Sequence, residues 1–462
     1  MLFKPTQTLT PHCMQFDSNI LFAFFFLLAI ATFKLMKPPA AALTALLGGW
    51  IFLPVGHYPA GSAEAVFPYW ITGLLTPSDM LITKAWVAPL ATLLGATIFD
   101  TKTVLAFKPR WGDAPMLAWC AWPLAQSIFV VSAAQPVSFV SSAYLFGSWG
   151  LPWFLARLYF SHAEGQWLML RALAYSTLAC LPFSLYEGLM GPDAYGLFYE
   201  AHPFRADGAA RYFGFRPLGF FENGNQFGIW VSLCALAAVW RCAALPNGRS
   251  RKNALVVALI CTAMALAAQS VGALMLVVAS GLLLSISQWL RVRIVVFGTL
   301  AALTLSAVIY ASGVIPISQI GKGTAWGQSV VNVFKAAGRG SFTWRISQDQ
   351  KLMPEIKAHP VVGSGQWDWW RVKDTRPWGL AMLMLGQFGA IGLVLCFGAV
   401  LWPALRVAWQ MPRASAWTLK AMPLLLATVI VLAMLDALMN SFIFFPAILI
   451  AGSLAGRYQA AD

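Results

Sequence analysis

Two stretches of this chain hold arginines in settings suited to anion chemistry. The first, RPLGFFENGNQFG, residues 216–228, sets Arg216, Glu222, Asn223 and Asn225 directly before a long apolar run. Gly219 allows a tight backbone path there, and an asparagine at such a place caps the first turn of a helix, whose N-terminus itself favours anions. The second, WRISQDQKLMPEIKAHPVVGSG, residues 344–365, carries Arg345 and His359. It lies in a segment, 313–377, that holds nine basic residues (Lys322, Lys335, Arg339, Arg345, Lys351, Lys357, Arg371, Lys373 and Arg376) against Asp349, Glu355, Asp368 and Asp374, a net charge of +5. Guanidinium forks hold phosphate through paired hydrogen bonds. Recognition of a phosphate is therefore the chemistry these residue types suggest. A solvated loop and a capped helix start with a snorkelling arginine are the bland readings of the same residues.

The elements that position these groups are apolar. Of 462 residues 59% are hydrophobic and only 10% charged, and the mean hydropathy is +0.69. A soluble protein of this length needs more charge to cover its surface. Apolar runs predict helices near 19–33, 39–56, 82–98, 115–133, 138–158, 166–189, 226–243, 253–270, 272–290, 294–312, 378–404, 419–439 and 442–456. The expected fold is an all-α polytopic bundle of about 12–14 transmembrane helices forming one integral membrane domain over 1–462. A rather polar stretch precedes the first run, so no cleavable signal peptide is expected. The seven cysteines show no CxxC or Cys/His spacing; they read as small apolar packing groups, with no metal site, cofactor or disulfide framework.

Lys and Arg in the short connections orient the bundle. One alternate set holds Lys34 and Lys37; Lys102, Lys108 and Arg110; Arg157; Arg241, Arg249, Arg251 and Lys252; Arg291 and Arg293; and Arg406, Arg413 and Lys420, with Arg457 on the same side. The intervening connections, 134–137 and the turn near Gln269, carry almost none. The basic set is read as cytoplasmic. The two long loops, 190–225 with Arg216 and 313–377 with Arg345, then face outward, and a lipid-linked phosphate is an anion found at that depth.

RPLGFFENGNQFG resembles the Arg-x-x-Gly-Phe-x-x-x-x-Asn signature of the O-antigen ligase and Wzy-type polysaccharide polymerase superfamily. Residues 344–365 resemble that superfamily's Arg, amphipathic segment and Pro-x-x-Gly-x-Gly, and LMLGQFGAIGL, 383–393, resembles its Gly-x-x-Gly at the head of the helix after the large loop. Order, spacing and layout agree over most of the chain. The resemblance implies a metal-independent, inverting membrane glycosyltransferase of the C type, facing the periplasm from the inner membrane. Its donor would be a sugar chain on undecaprenyl pyrophosphate, with Arg216 and Arg345 on the pyrophosphate. Negative charge grows on that leaving group, so arginines already in place stabilise the transition state.

One departure matters. Ligases of the family carry an essential His shortly before the Gly-x-x-Gly pair; counting back from Gly389 lands on Trp378, in DTRPWG, and no histidine follows His359. Arg376 is the nearest charged side chain. The expectation is therefore a Wzy-like polymerase joining lipid-linked repeat units, with Arg216, Arg345, Arg376 and His359 as catalytic candidates. The alternatives are an O-antigen ligase and a transporter without chemistry, although no internal repeat favours the latter. His359 also reads as a structural helix end. Glu222, Asn225, Arg371 and Lys373 are candidate substrate contacts. Glu187 (LYEGLMG) would orient an acceptor hydroxyl or be a solvated helix end, and Trp369, in GSGQWDWWR, would stack on sugar. Asp436 and Asn440, one turn apart in an apolar helix, read either as functional or as a structural pair. Expected partners are the lipid-linked oligosaccharide, membrane lipid, a flippase and a chain-length regulator, but not nucleic acid.

Overall fold

In the computed structural model the described residues are 18–55, 82–130, 138–199, 202, 210–211, 213–290, 298, 301–302, 304–306, 309, 323–336, 345, 348–349, 351–366, 369–370, 377–411, 416–441 and 445–456. The helices are α1 Ser18–Leu35, α2 Pro38–Phe52, α3 Lys84–Phe99, α4 Ala114–Phe129, α5 Ser138–Leu145, α6 Leu151–Tyr159, α7 Ala163–Ala179, α8 Leu181–Met190, α9 Gly224–Ala244, α10 Arg249–Ala267, α11 Val271–Leu290, α12 Ala325–Ala336, α13 Met353–Ala358, α14 Leu380–Gln410, α15 Met422–Met439 and α16 Phe445–Ala455. Among the described residues there is no strand, only an isolated bridge between Ala210 and Phe215. The fold is all-α.

Five stretches, Ala163–Met190, Gly224–Ala244, Arg249–Ala267, Leu380–Gln410 and Leu419–Leu438, are long and apolar enough to cross a membrane, and shorter apolar helices such as Lys84–Phe99 and Phe445–Ala455 accompany them. Outward-facing side chains are apolar as well. Phe24, Leu27, Ile98, Ile128, Phe139, Leu189, Leu259 and Val394 are all exposed. Such an apolar belt is unfavourable in water but suits hydrocarbon.

Several boundaries differ from the expected runs. The run at 138–158 is split by a π-helical turn, Phe146–Gly150, and the run at 166–189 breaks at Cys180, before Pro182. The candidate helix 294–312 falls mostly outside the described residues. Cys120, Cys180, Cys234, Cys261 and Cys396 are buried and unbridged, and Cys242 is half-buried.

Helices α9, α14 and α15 form the interior, and α15 packs against α7, α9, α11, α14 and α16. Each interior helix has one end among the motifs: Gly224 of α9, Leu380 of α14 and Met439 of α15. Basic Arg241, Arg406 and Lys420 lie toward their other ends. At that basic end Arg157, expected in a short connection, lies inside α6. It is buried, with Nε donating to Asp113 Oδ1 at 2.8 Å, and Trp153 Nε1 donates to the same oxygen at 2.9 Å. A cation withdrawn from water needs such a partner.

Candidate functional site

The site is built on the start of α9. Asn223 caps it: its Oδ1 accepts the backbone N–H of Asn225 and of Gln226, each at 3.0 Å, satisfying two amides that have no partner inside the helix. Arg216 lies across this end. A Cβ on Gly224 would meet Arg216 Nε at 2.4 Å, and one on Gly228 would lie 3.5 Å from Arg216 Nη2. Glycine at 224 is thus what admits the guanidinium against the helix backbone. Arg216 is buried, and its charge adds to the positive end of the α9 dipole.

Arg345 reaches the same place from the other long loop. Arg216 Nη2 donates to Asn225 Oδ1 at 2.8 Å, and Asn225 Nδ2 donates to Asn440 Oδ1 at 3.2 Å. That same Asn440 oxygen accepts Arg345 Nη1 at 2.8 Å. The Arg345 guanidinium also lies 5.3 Å from the centre of the Trp378 ring, and Trp378 N–H donates to buried Asp349 at 2.9 Å. Burial pulls the Arg345 pKa below the usual guanidinium value, while Asp436 and Asp349 oppose that shift. Arginine stays cationic regardless. The assembly thus places two guanidiniums and a helix N-terminus together, an arrangement that favours an anion.

The loop bearing Arg216 is held by buried groups of both signs. The Glu187 carboxylate of α8 accepts the backbone N–H of Leu218 at 2.7 Å, of Gly219 at 2.6 Å and of Ala194 at 3.2 Å. Lys84 Nζ of α3 donates to the carbonyls of Phe220 at 2.8 Å and Trp50 at 3.0 Å, with the Trp50 and Phe221 rings beside it. Gln269, in the turn between α10 and α11, pairs with both backbone groups of Phe213. His202 Nε2 lies 3.0 Å from the Phe221 carbonyl oxygen, which ties this histidine to the same loop.

The second and third motifs dock on each other. Ser364 and Gly365 donate their N–H groups to Gly386 O at 2.9 Å and Gln387 O at 3.0 Å; Ala390 and Ile391 return bonds to Pro360 O at 2.9 Å and Val361 O at 3.2 Å. The kink of α14 at Gly389 makes this possible. From α4, Gln126 Nε2 donates to the carbonyls of Val362 and Gln387, each at 2.7 Å, and Trp122 Nε1 to Phe388 O at 3.0 Å. This dock anchors the end of the loop that supplies Arg345.

Several expectations are corrected. Glu187 is neither a solvated helix end nor aimed at an acceptor: it is 1% exposed and bound to loop amides. Trp369 is not free to stack on sugar, because its indole is buried against Gly386. His359 is exposed at the end of α13, where its carbonyl accepts the Gly363 N–H at 2.9 Å. Glu222 is buried on the Lys84 side of the loop, with its backbone N–H bound to Gln226 Oε1 at 3.0 Å. Asn225 sits between the arginines. Arg371, Lys373 and Arg376 lie outside the described residues.

Lys84, Asp349 and Trp378 were not singled out as site-shaping residues in the sequence. Lys84 had a signal: it falls inside the predicted run 82–98, and an ionisable group in an apolar helix calls for a partner. No protein-family model matches the chain, and comparison with curated proteins gives no match.

Proposed function

We propose that the chain is a Wzy-like polymerase of the bacterial inner membrane, joining undecaprenyl pyrophosphate-linked oligosaccharide units into a cell-surface polysaccharide on the periplasmic face. One observation carries this reading: arginines from two distant loops join through Asn225 and Asn440 at the N-terminus of α9. The growing chain on its lipid pyrophosphate is the donor, and a sugar hydroxyl of a new lipid-linked unit is the acceptor. The hydroxyl oxygen bonds to the anomeric carbon from the face opposite the pyrophosphate, inverting that centre. The carbon–oxygen bond to pyrophosphate breaks, and the leaving group departs with the electron pair beside Arg216 and Arg345, which balance its growing charge. The hydroxyl proton passes to solvent late in the displacement, since an oxocarbenium-like centre asks little of its nucleophile. Arginines in this role take the place of a divalent cation.

The test is purified protein with lipid-linked repeat units and excess EDTA. Ladders of joined units are expected; no product, or product only with added divalent cation, would count against this chemistry. In cells, deletion should leave single repeat units. Full-length polymer stranded on its lipid carrier would instead identify a ligase acting on lipid A-core.

A further inference from the structure

Arg241 lies in the last turn of α9, a helix packed against α7 and α10. It is 7% exposed, yet its Nε and Nη1 have no hydrogen-bond acceptor among the described residues. Its guanidinium sits 5.8 Å from the centre of the Trp167 ring and 5.2 Å from that of Tyr175. The two rings and the negative end of the helix dipole favour the charge. They leave two N–H donors unused, a costly state for a buried cation.

Trp167, Arg171 and Tyr175 are spaced four apart on α7 and so share one face. A cation held by the first and third of these rows lies alongside the second. Arg171 and Tyr175 are both exposed. Arg171 stands about 12 Å from the start of α7, inside the apolar stretch Ala163–Met190. An exposed arginine at that depth is unfavourable in hydrocarbon unless it reaches a polar head group. Arg249, Arg251 and Lys252 open α10, and the Arg251 carbonyl, 3.9 Å from Cys242 Sγ, brings that start beside the end of α9. Acids are scarce here. Glu164 is the one acid of α7 and makes no ion pair among the described residues, and α9 and α10 carry none.

We propose that Arg241 and Arg171 bind the phosphate of an anionic phospholipid in the leaflet at the basic end of the bundle. The site is separate from the arginines at the other end of α9 and does not depend on their role. Unused donors on Arg241 suit phosphate oxygens, and the excess of cations favours a head group of net negative charge over a zwitterion. A lipid is the occupant because the opening lies along an apolar helix. Tyr175 is exposed beyond Arg171, and Val239, Leu255 and Leu259 of α9 and α10 are exposed as well, a surface that suits acyl chains.

The experiment titrates phosphatidylglycerol or phosphatidylcholine into the full chain in neutral detergent and counts bound lipid by native mass spectrometry. The wild type should prefer phosphatidylglycerol by about tenfold or more. Arg241→Gln should bring the two lipids to within about threefold. Arg171→Gln alters an exposed side chain and should cut the preference about fivefold, which keeps the test decisive if Arg241→Gln folds poorly. Arg110→Gln, in the connection before α4 at the same end, should leave the preference intact. A wild type without preference, or a preference that survives both variants, would overturn the proposal. So would an equal loss in Arg110→Gln, which marks a general basic surface. Displacement of the lipid by excess inorganic phosphate would assign the site to a soluble anion instead.

Discussion

Gly363 and Gly389 meet backbone to backbone. A Cβ on Gly363 would lie 2.4 Å from the Gly389 amide nitrogen, and one on Gly389 would lie 2.5 Å from the Gly363 nitrogen. Both hold left-handed backbone angles, with φ of +83° and +69°. Alanine at either place is expected to cost roughly 2–4 kcal/mol by strain and forced separation. Gly398 of the same helix α14 has nothing within 4 Å of its would-be Cβ, so Gly398→Ala should be neutral or stabilising by a few tenths of a kcal/mol. Thermal unfolding of the three variants in one detergent is the measurement; equal melting temperatures would refute the docked-loop account.

Arg216→Ala and Arg345→Ala should each abolish polymer formation with normal membrane insertion. Lysine at either position should restore only part, because an ammonium lacks the paired geometry of the fork. Since both belong to one relay, the double alanine variant should lose little beyond either single change. Strictly additive losses in product formation would show that the two act separately.

Glu187→Ala strips the acceptor from three backbone amides of buried surroundings. A stability loss of about 2–3 kcal/mol is expected, with activity lost alongside because the Arg216 loop loosens. Glu187→Gln keeps one carbonyl oxygen and should fall between. If the alanine variant melts within a degree of the parent, the carboxylate is not the clamp described.

His359, exposed at the end of α13, should tolerate glutamine with about a threefold loss or less in rate, well below the roughly hundredfold or greater effect of removing a general base. Arg376→Ala, beside the segment lacking a ligase histidine, should be far more damaging. A reversed ranking in a product assay would make His359 the proton acceptor in place of solvent.

At the opposite end, Asp113→Ala strands the buried Arg157 guanidinium, and a loss of about 3–5 kcal/mol is expected. Asp113→Leu combined with Arg157→Met should recover most of it, because the desolvation of both ions is removed together. A double variant no more stable than Asp113→Ala, by chemical unfolding, would contradict this reading of the pair.

Apolar length made the helices legible. The run at 226–243 appears as Gly224–Ala244, and 419–439 as Met422–Met439, since few other structures satisfy a backbone in such surroundings. Arg216, Asn225 and Arg345 were legible as candidates from residue type and motif, and Asn440 from its place beside Asp436 in an apolar helix. What a linear reading lacks is the direction of a side chain across helices. Glu187 at a helix end looks solvated until the loop folds over it, and Trp369 looks available until Gly386 provides its slot. Lys84, inside the predicted run 82–98, signals that it needs a partner but not which one; two carbonyls and two rings supply it.

Asn440 is where α15 stops, so the depth of its carboxamide is indexed to the length of that helix. One residue added to α15 would turn its last position by about 100° and raise it by about 1.5 Å, carrying the amide away from both Asn225 and Arg345. The helix is in this sense a ruler. Its residue count is under the same constraint as the side chain at its tip, and an insertion deep in the apolar segment would act at the site without touching any group there.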